Sequence, residues 1–115
     1  MSDTPELGAL RVETRSDEES GIVVALAGEL DLSTVSRFVN AIDDALDDRP
    51  PALELDLSEL TFIDSSGLRV LVSLSKDAQA RGTTLGLRNI PRHAQRVLDI
   101  TGLTEWFDGQ ANAES

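Results

Sequence analysis

The stretch Glu59–Val72, ELTFIDSSGLRVLV, changes its period halfway along. It begins as a strand, with Phe62 and Ile63 forming a short apolar end, and continues as a helix from Ser66 to about Ala80. At the join stand Asp64, Ser65, Ser66 and Gly67. A serine oxygen at a helix start accepts a bond from an N–H that has no partner in the preceding turn, and losing such a cap costs about 1 kcal/mol. Asp64 suits the same place, because the positive end of the helix dipole favours a carboxylate. Gly67 is harder to explain as part of a cap. Glycine within a helix costs roughly 0.5–1 kcal/mol relative to alanine, so its presence implies a close approach of some other group. The join therefore reads either as a cap or as a site, with the missing side chain at Gly67 letting another protein reach the neighbouring hydroxyl.

Outward from the join, the pattern gives an alternating series. Leu10 and Val12 alternate with polar neighbours, RSDEESG turns, and IVVALAG follows as a second, more buried strand. A helix comes next, with Val35, Phe38, Val39, Ile42, Ala45 and Leu46 on one face, a cap from Ser33 or Thr34, and a stop before Arg49–Pro50–Pro51. Leu53, Leu55 and Leu57 alternate with Glu54 and Asp56 in a third strand. Beyond the join, Leu68, Leu71, Val72 and Ala78 share one face of the second helix, which closes at Gly82. Val70 and Leu74 fall roughly opposite, either as a strip open to a partner or against a flanking helix. TLGLRN reads as a fourth strand, and Pro91 opens a third helix with Ala94, Val97 and Leu98 inward and Gly102 as its stop. LTEWF adds a last apolar piece. Helices between parallel strands predict an α/β fold: a mixed β-sheet of about four strands with helices packed on one face. The 115 residues suffice for one domain. Its core is expected over about 8–107, with a frayed acidic N-terminus and a frayed C-terminal tail, GQANAES.

Composition narrows the function classes. The core is aliphatic, since three Phe and one Trp are the only aromatic residues besides the single His93. Twenty-one acidic against ten basic residues leave a net charge of −11, with no basic cluster for a phosphate backbone, so direct nucleic-acid binding is disfavoured. Attraction to anionic membrane surfaces is disfavoured on the same ground. No apolar run approaches the roughly 20 residues of a membrane span, and the expected location is the cytoplasm. Without cysteine there is no thiolate chemistry. His93 reads as a surface residue, and the acidic pairs of the first helix, Asp43 with Asp44 and Asp47 with Asp48, read as solvated. Phosphate-binding glycine loops are absent, and no cofactor is expected. An acid–base pair of Asp31 and Asp64 around a Ser65 nucleophile would lack a histidine or lysine to activate the hydroxyl, so an enzyme is not expected.

LTFIDSSGLRVLV, with VVALAGELDLST about thirty residues upstream, resembles the two signature stretches of the STAS domain, specifically of bacterial anti-sigma factor antagonists of the sporulation and general stress type. The likeness extends from about Leu10 to Phe107. It implies a binding module in a partner-switching pathway. The unphosphorylated form binds an anti-sigma factor with serine kinase activity and frees a sigma factor; the phosphorylated form lets go. The residue modified in the family directly follows the aspartate, which is Ser65 here, with Ser66 helping to cap the helix and Asp31 positioning the partner or the serine. The kinase supplies ATP and magnesium, and a phosphatase acts on phospho-Ser65. The expected partner contact comprises Asp31, Asp64, Ser66, Gly67 and Leu68 around the join, with Val70 on the helix beyond it. The alternative is a STAS scaffold or signalling subunit outside sigma control, serving a phosphatase-regulated complex or a membrane transport system.

Overall fold

A computed structural model describes residues 10–18 and 21–112, with the backbone alone for 108–112. The chain runs β1 (Leu10–Asp17), β2 (Gly21–Leu30), α1 (Val35–Leu46), β3 (Ala52–Ile63), α2 (Ser65–Ala80), β4 (Thr84–Arg88), α3 (Arg92–Thr101) and α4 (Leu103–Asn112). One sheet has the order β1-β2-β3-β4. β1 pairs antiparallel with β2, while β2 with β3 and β3 with β4 pair parallel. Each parallel step needs a crossover, and α1 and α2 supply the two. The C-terminal ends of β2, β3 and β4 therefore lie along one edge of the sheet.

Alternation along the strands sorts the two faces. Across the sheet, Ile22, Leu53 and Leu85 stand in one row and Val24, Leu55 and Leu87 in the next. These rows meet the helices through Phe38, Ile42 and Leu46 of α1, Leu71, Leu74 and Ala78 of α2, Ala94 and Leu98 of α3, and Phe107 of α4. Burying each such aliphatic or aromatic side chain is worth about 1.5–3 kcal/mol. The opposite face carries Arg11, Glu13, Arg15, Ala25, Ala27 and Asp56, a polar surface that leaves the helices to one side. Its ion pair between Arg11 and Glu59, 3.8 Å apart and well exposed at both ends, contributes little.

Two local expectations need correction. The first concerns the C-terminal piece, which is a full helix: α4 continues through Gly109–Asn112, residues expected to fray, while 113–115 and the N-terminal 1–9 lie outside the described residues. The second is the inner face of α2. It consists of Gly67, Leu71, Leu74, Ser75 and Ala78, whereas Leu68 and Val72 are half-buried. Leu74 is thus a core residue and not part of a partner-facing strip, and Val70 is half-buried with its apolar side against the core. The physical reason is that α2 is wedged among α1, β3 and β4, so apolar residues surround much of it and do not mark one face. The apolar end of β3 is set by its pairing with β2. Over the span in which β2 advances eight residues, from Ile22 to Leu30, β3 advances ten, from Leu53 to Ile63, because the register slips twice. The second slip leaves Thr61 without a partner between Gly28–Leu60 and Glu29–Phe62, and its Oγ1 donates to the Gly28 carbonyl at 3.0 Å. Such a bulge re-aims the residues after it. Ile63 turns into the core and Phe62 turns out.

Candidate functional site

Leu30 and Ile63 are register partners at the ends of neighbouring parallel strands. The segments that follow them, Asp31–Thr34 and Asp64–Gly67, therefore start side by side. A backbone bond from Asp64 N–H to the Leu30 carbonyl, 3.2 Å, fastens one to the other.

The first segment is organised by Asp31. Its Oδ1 accepts from the Ser33 amide at 2.9 Å and from the Ser33 hydroxyl at 2.7 Å. The hydrogen bond from the Ser33 hydroxyl, opposed by desolvation and aided by the Ser33 and Thr34 backbone and the Thr34 hydroxyl, holds the carboxyl below its ordinary value of 3.8. Thr34 is buried; its Oγ1 donates to the Glu29 carbonyl at 2.8 Å and accepts from the Asp31 amide at 3.0 Å. Neither Ser33 nor Thr34 caps α1 through its side chain, contrary to expectation, because both hydroxyls are spent on this turn. The Val35 N–H of α1 bonds to the Asp31 backbone carbonyl. Leu32 occupies the turn's outer corner and is 75% exposed.

The second segment is the start of α2. Asp64 is the N-cap, in extended conformation, and its Oδ1 accepts from the Gly67 amide at 3.0 Å. The cap is thus the aspartate, and Ser66 does not share the work as expected; it is half-buried and its oxygen makes no bond among the described residues. Ser65 is exposed at the first helical position, and its hydroxyl likewise has no hydrogen-bond partner among the described residues. Asp31 makes no bond to Ser65; its acceptor capacity goes to Ser33 and Thr34.

The close approach at Gly67 belongs to the chain itself. A Cβ there would stand 2.7 Å from the Leu30 carbonyl oxygen and 2.9 Å from Leu30 Cγ, and Gly67 is buried. Its missing side chain thus leaves room for the end of β2. Leu68 and Val70 are half-buried against the core, so each offers a partner only part of its side chain.

Two features were not expected from the sequence. Leu32 and Phe62 are large apolar side chains left in water at this edge, Phe62 at 47% exposure. Counted from Leu53, Leu55 and Leu57, Ile63 falls inward and Phe62 outward, because the two register slips cancel in parity. His93, exposed as expected, also reaches back: its Nε2 lies 2.8 Å from the Leu60 carbonyl. A carbonyl only accepts, so Nε2 carries the proton, and α3 is thereby tied to the strand that leads into Asp64.

A family model described as "Mlab, STAS domain" matches residues 13–107. The anti-sigma-F factor antagonist RsfB of Mycobacterium tuberculosis is 36% identical over 94 residues, covering 82% of this chain and 76% of that protein. The crystal structure of an anti-sigma factor antagonist from Mycobacterium paratuberculosis superposes with a TM-score of 0.75 at 26% identity, covering 96% of this chain and 97% of the other. The Bacillus cell fate determinant SpoIIAA in its phosphorylated form gives a TM-score of 0.63 at 25% identity, with 85% of this chain and 87% of the other covered. The fold thus has its counterparts among solved structures, and the chain belongs to the STAS domain family.

Proposed function

We propose that this chain is an anti-sigma factor antagonist. In its unphosphorylated form it binds an anti-sigma factor that is also a serine kinase, so that a sigma factor is set free. Phosphorylation of Ser65 ends the complex, and a phosphatase restores it. The observation that carries this reading is the Ser65 hydroxyl, exposed and unbonded at the first position of α2 beside the Asp64 cap. The relatives named above, antagonists of anti-sigma factors, support the role.

The local chemistry fits a hydroxyl that accepts a phosphoryl group when a kinase supplies the base, and not a nucleophile activated by this chain. No side chain bonds to the Ser65 hydroxyl among the described residues, so none is placed to take its proton. The chain is then the kinase's substrate, and the ATP and magnesium come with the kinase. A phosphoserine at this position adds about −1.5 to −2 charge where the backbone N–H groups of a first helical turn point outward, so the fold tolerates it. A partner surface fitted to a neutral hydroxyl does not. Asp64 and Asp31 sit close by, and the added charge and its hydration oppose burial there. A loss of about 3 kcal/mol in binding already lowers affinity more than a hundredfold.

The test is intact-mass spectrometry with site localisation after incubation with ATP, magnesium and purified anti-sigma kinases of the host, alongside a binding titration. One phosphate on Ser65, none on Ser65→Ala, and at least hundredfold weaker binding by Ser65→Asp are expected. A Ser65→Asp chain that binds as tightly as the wild type would overturn the switch.

A further inference from the structure

Among the described residues, three large apolar side chains are conspicuously exposed: Leu32, Phe62 and Ile100. Single exposed apolar residues are ordinary and carry no message by themselves. Two of these three, however, stand next to Ser65: Leu32 on the neighbouring loop after β2, and Phe62 near the end of the strand that leads into it. Phe62 lies opposite Glu29 in register, and Leu32 follows Glu29 by three residues, so their Cα atoms are at most about 15 Å apart. Ser65 follows Phe62 by three residues. Each exposure is built in. Leu32 is held in a turn whose neighbours Asp31, Ser33 and Thr34 are all hydrogen-bonded, and Phe62 is held on the outward face of β3 by the inward anchoring of Ile63 beside it.

We infer that Leu32 and Phe62 are a pair of apolar anchors that seat the anti-sigma factor over Ser65, each entering an apolar depression on a partner surface rimmed by basic side chains. The inference rests on the function proposed above and specifies its contact surface. Charge selects this occupant. Glu29, Asp31 and Asp64 surround the pair and form no ion pair among the described residues. A second copy of the chain would bring these carboxylates against their own kind, whereas a basic rim would pair with them. Apolar anchors in the middle and charge at the periphery is the division of labour that gives specific interfaces their affinity. The anchors also explain how one phosphate can end the complex: Ser65 lies within the same patch, so the hydrated group would have to be buried along with them.

Leu32→Ala, Phe62→Ala, Ile100→Ala and Ser65→Asp chains would be titrated by calorimetry against each purified anti-sigma factor of the host that retains the wild-type chain. Ile100 serves as the comparison, because it lies on α3 in a shallow groove with Arg92 and Arg96, two helical turns beyond the end of α3 nearest β3. Leu32→Ala and Phe62→Ala are each expected to weaken binding at least tenfold with unchanged melting temperatures, and Ile100→Ala less than twofold. Leu32→Ala, at an almost fully exposed position, keeps the result interpretable should Phe62→Ala disturb the strand. Wild-type affinity in both anchor variants, with Ser65→Asp still released, overturns this inference and leaves the proposed function standing. An equal loss at Ile100 also overturns it. If no anti-sigma factor retains the wild-type chain, the function and the anchors fall together.

Discussion

Gly67 shows how one missing methyl group sets the geometry of the strand-to-helix join. The first turn of α2 must approach the end of β2 closely enough for Asp64 N–H to reach the Leu30 carbonyl, and a Cβ at residue 67 would lie 2.7 Å from that same oxygen. The obstacle is backbone and cannot swing aside. Gly67→Ala is therefore expected to destabilise the fold by about 1–3 kcal/mol, despite alanine's better helix propensity, as read from the midpoint of urea denaturation. Ser66→Ala, whose oxygen caps nothing, should stay within about 0.5 kcal/mol. A neutral or stabilising Gly67→Ala would mean that the helix start has room to shift. From the sequence, the glycine's need for space was legible; what occupies that space was not, because Leu30 is 37 positions away.

At the scale of elements, the helical period of α2 was plain in the sequence, but its phase was not. Counting apolar residues put Leu74 opposite the buried face, yet Leu74 is 6% exposed and lies in the core with Leu71 and Ala78. Because α2 touches α1, β3 and β4, its apolar residues are spread around the helix and the most apolar side cannot be identified by spacing alone. Leu74→Ala is expected to cost about 2–5 kcal/mol in denaturant unfolding, the range for a large-to-small change in a packed core. Val70→Ala should cost distinctly less, since Val70 is only half-buried. Equal, small effects at both positions would return Leu74 to the surface. In β3 the missing information was of a different kind. Strand alternation is legible only while the register holds, and the slips between Leu53 and Ile63 turn Leu60 inward where alternation from Leu57 would put it outward.

Across the whole molecule, the charge of −11 shapes how a partner arrives more than how the fold holds together. The four-helix side of the sheet is apolar within, and the proposed docking edge carries Glu29, Asp31 and Asp64 around Ser65. A partner with a basic rim would be steered toward that edge from beyond contact distance. Raising salt from 0.1 to 1 M shortens the screening length from about 10 Å to about 3 Å. The association rate with the anti-sigma factor, followed by stopped-flow fluorescence, is expected to fall about tenfold or more over that range, while dissociation changes little. An association rate indifferent to salt would show that the acidic edge does not steer.

By itself, the sequence determined the order of the four strands and first three helices, the parallel arrangement that crossovers impose, the acidic balance, and the strand-to-helix join at Asp64–Gly67. These follow from period, from breakers such as Pro50 and Gly102, and from composition, all of which are local properties. Only the tertiary structure decided that Asp64 and not a serine caps α2, that Gly67 answers to Leu30, that Leu74 points inward, and that Leu32 and Phe62 stand in water beside Ser65. The reason is common to these assignments. Each depends on which of several chemically suitable groups is met, or left unmet, by a segment far away in the chain or by a slip in strand register, and neither leaves a periodic mark in the sequence.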